Sequence, residues 1–296
     1  MTQHYRVSHR TTYSYDDDVS DSLGIAYLVP RDLAWQKVVS QEISIDPEPG
    51  DRSSDVDYYG NTVTYFQVTE PHRVLSIHGL SEVEVFAPVY DEAALAQPWE
   101  QARPAERPDV PDAWQALDLT LPSPLVPLVP GAHEYAAASL TPGRPVGEAL
   151  TDLMHRIHAE FTYDKTATTV TSTIDDVLGT RAGVCQDFAQ LTLSCLRSHG
   201  LAARYVSGYL ATTPPPGKER IVGADATHAW AAVWIPGEST GGGWLAIDPT
   251  NDQWANDRYV TVAWGRDYGD VPPVKGVIFT EAKKSTLRVE VDVAPV

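Results

Sequence analysis

Prolines divide this chain of 296 residues into three parts. Eleven of them lie between residues 88 and 145. Proline fixes φ and lacks a backbone N–H, so a segment this rich in proline accommodates neither a long helix nor a central strand. We therefore predict a first unit over 1–87, a connecting segment over 88–145 and a second unit over 146–296.

The first unit is patterned as β-strands. Residues 38–45 and 62–68 contain period-two stretches and are rich in β-branched and aromatic side chains, and turn-forming residues separate them at 46–50 and 59–61. This pattern is typical of strands with one buried face. Several short strands at this spacing predict an antiparallel β-sandwich.

The second unit combines helices with strands. Apolar residues recur at helical spacing over 146–161, and again from Gln186 to His199, where Gly200 ends the pattern. Strand-like segments follow at 203–210, 228–235, 243–248 and 285–293, and the glycine run at 241–243 fits a hairpin loop. We predict an α+β unit in which one helix packs on an antiparallel sheet, with strands continuing to the C-terminus.

The charge of the chain limits its partners. Twenty-two Lys and Arg stand against 40 Asp and Glu, which gives a net charge of −18. Nucleic acids and anionic membranes require a basic face, so neither is expected as a partner.

No apolar run approaches the ~20 residues that span a bilayer, and the N-terminal residues lack the apolar region of a secretory signal. The sequence favours a cytoplasmic protein.

The chain has only two cysteines, Cys185 and Cys195. Two cysteines exclude a disulfide scaffold and a zinc site built on cysteine. If both lie on one helix, ten residues separate them by ~15 Å, too far for a disulfide. Cys185 falls at the predicted helix N-terminus, where unpaired N–H groups favour a negatively charged sulfur, whereas Cys195 points into the core.

Thiol catalysis also needs an imidazole to move the proton and an acceptor to orient the imidazole. His228 begins one predicted strand, and Asp248 ends the next. If these strands pair through the loop at 236–243, the two side chains become neighbours. Each residue alone has a simpler explanation, since a single cysteine is usually buried packing and an aspartate before proline usually forms a turn.

Other site types lack support in the sequence. His155 and His158 are three residues apart on a predicted helix, but no third ligand accompanies them. A glycine-rich phosphate loop, a serine elbow and a zinc-protease motif are all missing from the sequence. We expect neither a metal nor a cofactor.

Four segments in order resemble motifs of the bacterial transglutaminase-like superfamily: GVCQDFA at 183–189, RYVSGY at 204–209, HAW at 228–230 and WLAIDPT at 244–250. Further segments resemble the β-rich domain that precedes the core in one branch of that family, namely HRTTYSY at 9–15, Gln36 and DYYGN at 57–61. GRDYGDVPP at 265–273 resembles its C-terminal signature. The resemblance covers most of the chain except 88–145.

The resemblance implies a papain-like core with Cys185 as nucleophile, His228 as general base and Asp248 as the orienting residue. The extra β domains and calcium sites of animal transglutaminases and the zinc-binding cysteines of peptide N-glycanases are not evident here, so calcium dependence is not carried over. For the oxyanion, the Cys185 backbone N–H is one candidate donor, and Gln186 and Tyr163 are weaker candidates for the second.

The expected activity is acyl transfer from an amide or isopeptide bond of a peptide or protein, through a thioester on Cys185. Hydrolysis is favoured slightly over transfer to an amine, because no dedicated amine site is evident. A protein-glutamine transglutaminase and a non-catalytic binding scaffold are the alternatives. The sequence leaves the natural substrate and the oligomeric state open.

Overall fold

The computed structural model describes residues 2–169, 172–212, 227–237 and 243–296. The helices are α1 (Glu92–Ala96), α2 (Ala113–Asp118), α3 (Pro130–Ala137), α4 (Val146–Glu160), α5 (Ile174–Thr180) and α6 (Cys185–Arg197). The strands are β1 (Gln3–Ala26), β2 (Gln36–Asp46), β3 (Asp51–Val56), β4 (Thr62–Val68), β5 (His72–Val85), β6 (Thr162–Tyr163), β7 (Ala182–Gly183), β8 (Ala203–Leu210), β9 (Thr227–Trp234), β10 (Trp244–Asp248), β11 (Gln253–Trp254), β12 (Tyr259–Gly265), β13 (Val274–Thr280) and β14 (Ser285–Pro295).

The N-terminal strands form one large antiparallel sheet in the order β2-β5-β1-β4-β3. The first half of β1 pairs with β5, and the second half pairs with β4. The register shifts between Ser14 and Val19, where the long strand changes neighbours. Apolar side chains from both halves pack into one cluster, which includes Ile45, Phe66 and Ile77. The predicted sandwich is thus a single curled sheet whose two halves share β1.

The last two strands of the chain complete this N-terminal sheet. Strand β13 pairs with the second half of β1, and β14 pairs with the first half. The sequence groups these strands with the second unit, because periodicity identifies a strand but not its partner. The predicted boundaries at 87 and 145 stay predictions.

The proline-rich segment contains only short helices, as its composition predicts. Its longest helix, α3, has eight residues and packs against α6. Helix α1 packs against α4, and Trp99 is buried in the main hydrophobic cluster. No helix in the described ranges is long and apolar enough to cross a membrane.

The second unit contains a five-stranded antiparallel sheet in the order β11-β10-β9-β8-β12. Helix α6 packs on β9 and β8, and its side chains Phe188, Leu191 and Cys195 are buried. Gly200 has a φ of +77° just after the helix, a conformation that glycine adopts without strain. The predicted α+β architecture, with the cysteine-bearing helix on an antiparallel sheet, is confirmed. In the predicted hairpin loop, residues 238–242 lie outside the described ranges.

Side chains of the first unit bind the edge strand β12 of the second. The amide of Gln36 donates to Thr261 O and accepts from Thr261 N, both at 2.8 Å. The amide of Asn61 makes the same pair of bonds with the backbone of Trp264, at 2.8 and 2.9 Å. These bonds satisfy backbone groups that an edge strand would leave unpaired, and they fix the two sheets relative to each other.

Candidate active site

Helix α6 begins at Cys185 because Asp187 caps its N-terminus. The Asp187 carboxylate accepts from Val184 N at 2.8 Å and from the Thr168 hydroxyl at 2.6 Å. A Cβ at residue 183 would lie 2.8 Å from this carboxylate, so Gly183 leaves the space that the cap needs. The cap leaves the first N–H groups of the helix beside the Cys185 sulfur, where they favour negative charge.

His228 and Asp248 come together through the pairing of β9 with β10. These strands are antiparallel neighbours, with Ile247 opposite Ala231. The start of β9 therefore lies beside the end of β10, as the sequence predicts. His228 Nε2 is 2.7 Å from Asp248 Oδ2, and the His228 side chain is 9% exposed while that of Asp248 is fully buried.

The imidazole of His228 also lies near the Cys185 sulfur, since both line one cavity and the sulfur contributes to the pKa of the ring. Since Nε2 faces Asp248, Nδ1 is left to face the sulfur. Burial by itself would lower the pKa of His228, but the bond to Asp248 and the influence of the nearby Cys185 sulfur outweigh burial and raise the pKa to about 10. At neutral pH the ring therefore carries a proton on each nitrogen. The structure brings the three predicted residues together in the order thiol, imidazole, carboxylate.

Two residues that the sequence did not predict hold Asp248. The Tyr259 hydroxyl donates to Asp248 Oδ2 at 2.6 Å, and the Asn251 amide donates to the same oxygen at 2.7 Å. Burial by itself would raise the pKa of Asp248, but the bonds from His228, Tyr259 and Asn251 outweigh it and lower the pKa. The group at 248 thus stays a carboxylate.

Helix α4 anchors the loop that carries Asn251. His155 on this helix pairs with Asp252, and His158 hydrogen-bonds Thr250 O at 3.1 Å. The two histidines therefore have partners in the loop, in keeping with a packing role. Among the described residues, no group of three His, Cys, Asp or Glu could hold a metal. The expected lack of a metal and a cofactor stays a prediction.

Three side chains near Cys185 could donate to an oxyanion. Strand β6 pairs with β7 and places Tyr163 opposite Gly183, with the Tyr163 side chain 48% exposed. Gln186 and the buried Tyr205 line the cavity that contains Cys185. Burial and the neighbouring Cys185 raise the pKa of Tyr205 well above its usual value, so its hydroxyl keeps a proton to donate. Tyr205 lies in the RYVSGY segment, but nothing in the sequence marks it as a neighbour of Cys185.

A cavity of about 180 Å³ lies beside Cys185 and His228, between the core and the N-terminal sheet. The side of the core contributes Cys185, Gln186, Tyr205, Ser207, Thr227, His228, Ala229 and Tyr268, and the remainder of the lining is His9, Thr11, Tyr13, Pro273, Val274, Leu287 and Val289. His9 hydrogen-bonds Tyr209 and Thr11. Burial, with a smaller effect of His78, lowers the pKa of His9 to about 4, so its ring is neutral.

The two cysteines are expected to differ sharply in reactivity. Cys185 is partly exposed beside His228, whereas Cys195 is fully buried in the same helix, and burial raises the pKa of its thiol to about 12. Iodoacetamide at mildly acidic pH should therefore label Cys185 and spare Cys195, as measured by peptide mass spectrometry. Equal labelling of both thiols, or protection of Cys185 alone, would contradict this assignment.

Comparisons with protein families agree with the order of the two units. Residues 5–84 match the bacterial transglutaminase-like N-terminal region, and residues 134–249 match the transglutaminase-like superfamily. An uncharacterized protein of Mycobacterium tuberculosis is 50% identical over 297 residues, which cover 99% of this chain and 93% of that protein. An uncharacterized protein of Mycobacterium leprae is 33% identical over 276 residues, 92% of either chain.

Among solved structures, a candidate cysteine protease from Cytophaga hutchinsonii has the same fold. Its TM-score with this chain is 0.76, at 19% sequence identity, and the match covers 100% of this chain and 91% of that one. The likeness thus extends over both units and over the return of the C-terminal strands.

Proposed function

The chain belongs to the transglutaminase-like superfamily, and on that premise we propose that it is a thiol-dependent acyl-transfer enzyme that cleaves an amide or isopeptide bond. The single observation that carries this proposal is the position of His228, which lies beside the Cys185 sulfur in one cavity and bonds the buried carboxylate of Asp248. This is the arrangement that nucleophilic catalysis by a thiol requires.

In the proposed reaction, the Cys185 sulfur attacks the carbonyl carbon of the amide. His228 then donates its Nδ1 proton to the leaving amine as the C–N bond breaks, which leaves a thioester on Cys185. In the second half, His228 takes a proton from water as the water oxygen attacks the thioester. The C–S bond breaks, the free acid leaves, and the thiolate–imidazolium pair is restored. Asp248 orients the ring and stabilises its positive charge without taking the proton.

The tetrahedral intermediates place negative charge on the former carbonyl oxygen. The Cys185 backbone N–H lies at the start of α6, where no carbonyl of the same helix accepts it, and it is the proposed first donor to that oxygen. The Tyr205 hydroxyl is the proposed second donor, because it is buried, keeps its proton and lines the same cavity. Gln186 and Tyr163 are the alternative second donors.

We favour water over an amine as the acceptor of the acyl group. Among the described residues that line the cavity there is no Asp or Glu to bind a cationic amine. Asp248 is fully buried and its oxygens are already bonded. A protein-glutamine transglutaminase is the alternative. A binding scaffold without activity would have no need to bury a carboxylate beneath a partly exposed thiol–imidazole pair, since that burial is costly.

The rest of the proposal concerns partners and location. A peptide or protein that carries the amide is the proposed substrate. With a net charge of −18, the chain is not expected to bind nucleic acid or anionic membranes, and we propose that it acts in the cytoplasm.

One experiment tests the proposal and its alternatives. The protein is mixed with a panel of activated acyl donors and of glutamine and isopeptide donors, and intact mass spectrometry follows the adduct on Cys185 while a primary amine is titrated in. We expect an acyl-enzyme, with free acid released at a rate that does not depend on the amine. The Cys185→Ala variant is the control for non-enzymatic hydrolysis.

The other outcomes each favour a different function. An amine adduct whose yield rises with added amine and falls with ionic strength would identify a transferase, because the acidic surface concentrates cations at low salt. The absence of both an acyl-enzyme and any product across the panel would contradict an enzyme and favour the scaffold.

A further inference from the structure

We propose that the cavity between the N-terminal sheet and Cys185 is a subsite that holds an uncharged, apolar side chain on the acyl side of the scissile amide. This inference rests on the proposed function, since it assigns part of the substrate to the same site. It also gives the N-terminal sheet and the C-terminal strands a direct role in choosing that substrate.

The position of the cavity argues for the acyl side. Cys185 and His228 line the cavity together with residues of β1, β13 and β14. In a thioester the acyl group stays bonded to the Cys185 sulfur until water attacks, so the space next to this sulfur has to accommodate it. A volume of about 180 Å³ is smaller than the ~300 to 1,000 Å³ of sites that enclose a whole small molecule. It suits one side chain of a larger substrate.

The far wall of the cavity is apolar and faces water in the free protein. Val289 and Leu287 on β14 are 47% and 59% exposed, and both line the cavity that contains the reactive thiol. They sit opposite Thr11 and Tyr13 of β1, which line the same cavity. Exposed apolar side chains at the entrance of a reactive site gain free energy when a substrate covers them. A substrate obtains this gain in free energy when the group that covers these side chains is itself apolar.

Apart from His228, whose charge is paired with the buried carboxylate of Asp248, the described lining of the cavity offers no charged group to a substrate side chain. Although the chain as a whole carries a charge of −18, no Asp, Glu, Lys or Arg lines the cavity among the residues that the structure describes. The His9 ring at its buried end is neutral, because burial lowers its pKa to about 4. A charged side chain would therefore lose its hydration without gaining a partner, which is costly. The subsite should reject glutamate and lysine.

The experiment compares two activated donors, the benzyl thioesters of N-acetyl-leucine and N-acetyl-glutamate. The rate of acylation of Cys185 is measured by intact mass, with iodoacetamide labelling as an independent measure of the nucleophile. We expect the leucyl donor to react at least about tenfold faster than the glutamyl donor, the scale of discrimination that a hydrophobic pocket provides. Labelling by iodoacetamide, which has no side chain to place, does not depend on the subsite.

The chain provides a matched pair of variants. Val289→Asp introduces a charge into the apolar wall, whereas Val74→Asp makes the same change in the same sheet, on β5, at a residue that is 49% exposed and outside the cavity. We expect Val289→Asp to lower the rate of acylation by the leucyl donor about tenfold or more. The ratio of the leucyl rate to the glutamyl rate should fall as well. Val74→Asp should behave as the unmodified protein. Val289→Thr, which keeps the shape of valine, should give a smaller loss in the same direction.

The outcomes separate this inference from the proposed function. Equal rates for the two donors, or equal effects of Val289→Asp and Val74→Asp, would overturn the subsite while leaving the acyl-enzyme in place. If iodoacetamide labels Cys185 but no donor forms an acyl-enzyme, the proposed function fails and the subsite with it. A Val289→Asp protein that also loses iodoacetamide labelling, while Val289→Thr acylates at the unmodified rate, would assign the effect to the fold and overturn the subsite.

Discussion

Replacement of Cys185 by alanine is expected to abolish the acyl-enzyme and to lower turnover by a factor of order 10⁴ or more. The sulfur is the atom that bonds the acyl group in the proposed reaction, and alanine offers no nucleophile in its place. The residues of such a site act as a unit, so removal of the nucleophile leaves only the contribution of binding and of the oxyanion donors. Turnover and intact mass on a verified donor provide the measurement.

The second cysteine provides the control for this variant. Cys195 lies in the same helix, ten residues further on, and is fully buried. Cys195→Ala removes a small buried group, so it is expected to cost about 1 kcal/mol or more in the free energy of unfolding while the acyl-enzyme still forms. A Cys185→Ala protein that turns over a verified donor at the unmodified rate would show that another side chain is the nucleophile.

The sequence contained the parts of the site that local pattern determines. The helical spacing after residue 185 places Cys185 at the helix start, and the strand pattern places His228 at the beginning of β9 and Asp248 at the end of β10. Because these two strands are consecutive, an antiparallel pairing is enough to make His228 and Asp248 neighbours. Within the part of the chain that the structure describes, the three candidates come together as expected.

The side chains that complete the site depend on contacts that local pattern does not report. Tyr259 lies on β12 and donates to Asp248, which lies on β10. Strand β12 pairs with β8, so β12 and β10 are not adjacent in the sheet. The position of Tyr259 in an apolar strand predicts burial but not a partner. Asn251 follows the WLAIDPT segment directly, and a search for donors around a buried carboxylate would have considered it.

The sequence also did not predict that residues of β14 line the cavity, because their contacts are still more distant along the chain. Val289 is 104 positions after Cys185 and lies in a strand that pairs with β1, at the other end of the chain. Alternating residues predict a strand at 285–293, yet the register and the neighbour of that strand follow from the whole sheet. A role of the N-terminal sheet in substrate binding therefore becomes visible only once β13 and β14 are seen to return to it.

Asp248→Asn is expected to leave the fold intact and to lower turnover steeply, by about 10⁴ if the effect resembles that in serine triads. Oδ2 of Asp248 accepts from His228, Tyr259 and Asn251 at 2.6 to 2.7 Å. Oδ1 accepts from the backbone N–H groups of Thr250 and Asn251. An amide has one oxygen, and its NH₂ group only donates, so in Asp248→Asn either the three donors at Oδ2 or the two at Oδ1 lose their acceptor. In either orientation the ring of His228 loses the negative charge that stabilises its protonated form.

The pH dependence distinguishes this effect from a general loss of structure. The bond to Asp248 is one of the causes that raise the pKa of His228 to about 10, against the lowering effect of burial. Without the carboxylate that pKa falls, so His228 loses its proton, and with it the ability to protonate the leaving amine, at a lower pH. The alkaline limb of kcat/KM should therefore move to lower pH in Asp248→Asn. Asp257→Asn, the same change at a half-buried residue away from the imidazole, should leave the limb unchanged.

The free energy of unfolding should depend on pH through the same titration of His228. His228 has a folded-state pKa of about 10, raised from an ordinary value of 6.5, so its pairing stabilises the fold fully below pH ~6.5 and this contribution is lost as the pH rises through about 10. Asp248→Asn should lose most of this pH dependence of the free energy of unfolding, as measured by urea titration at several pH values. If both the alkaline limb and the pH dependence of unfolding persist unchanged in Asp248→Asn, the proton on His228 is held by a group other than Asp248.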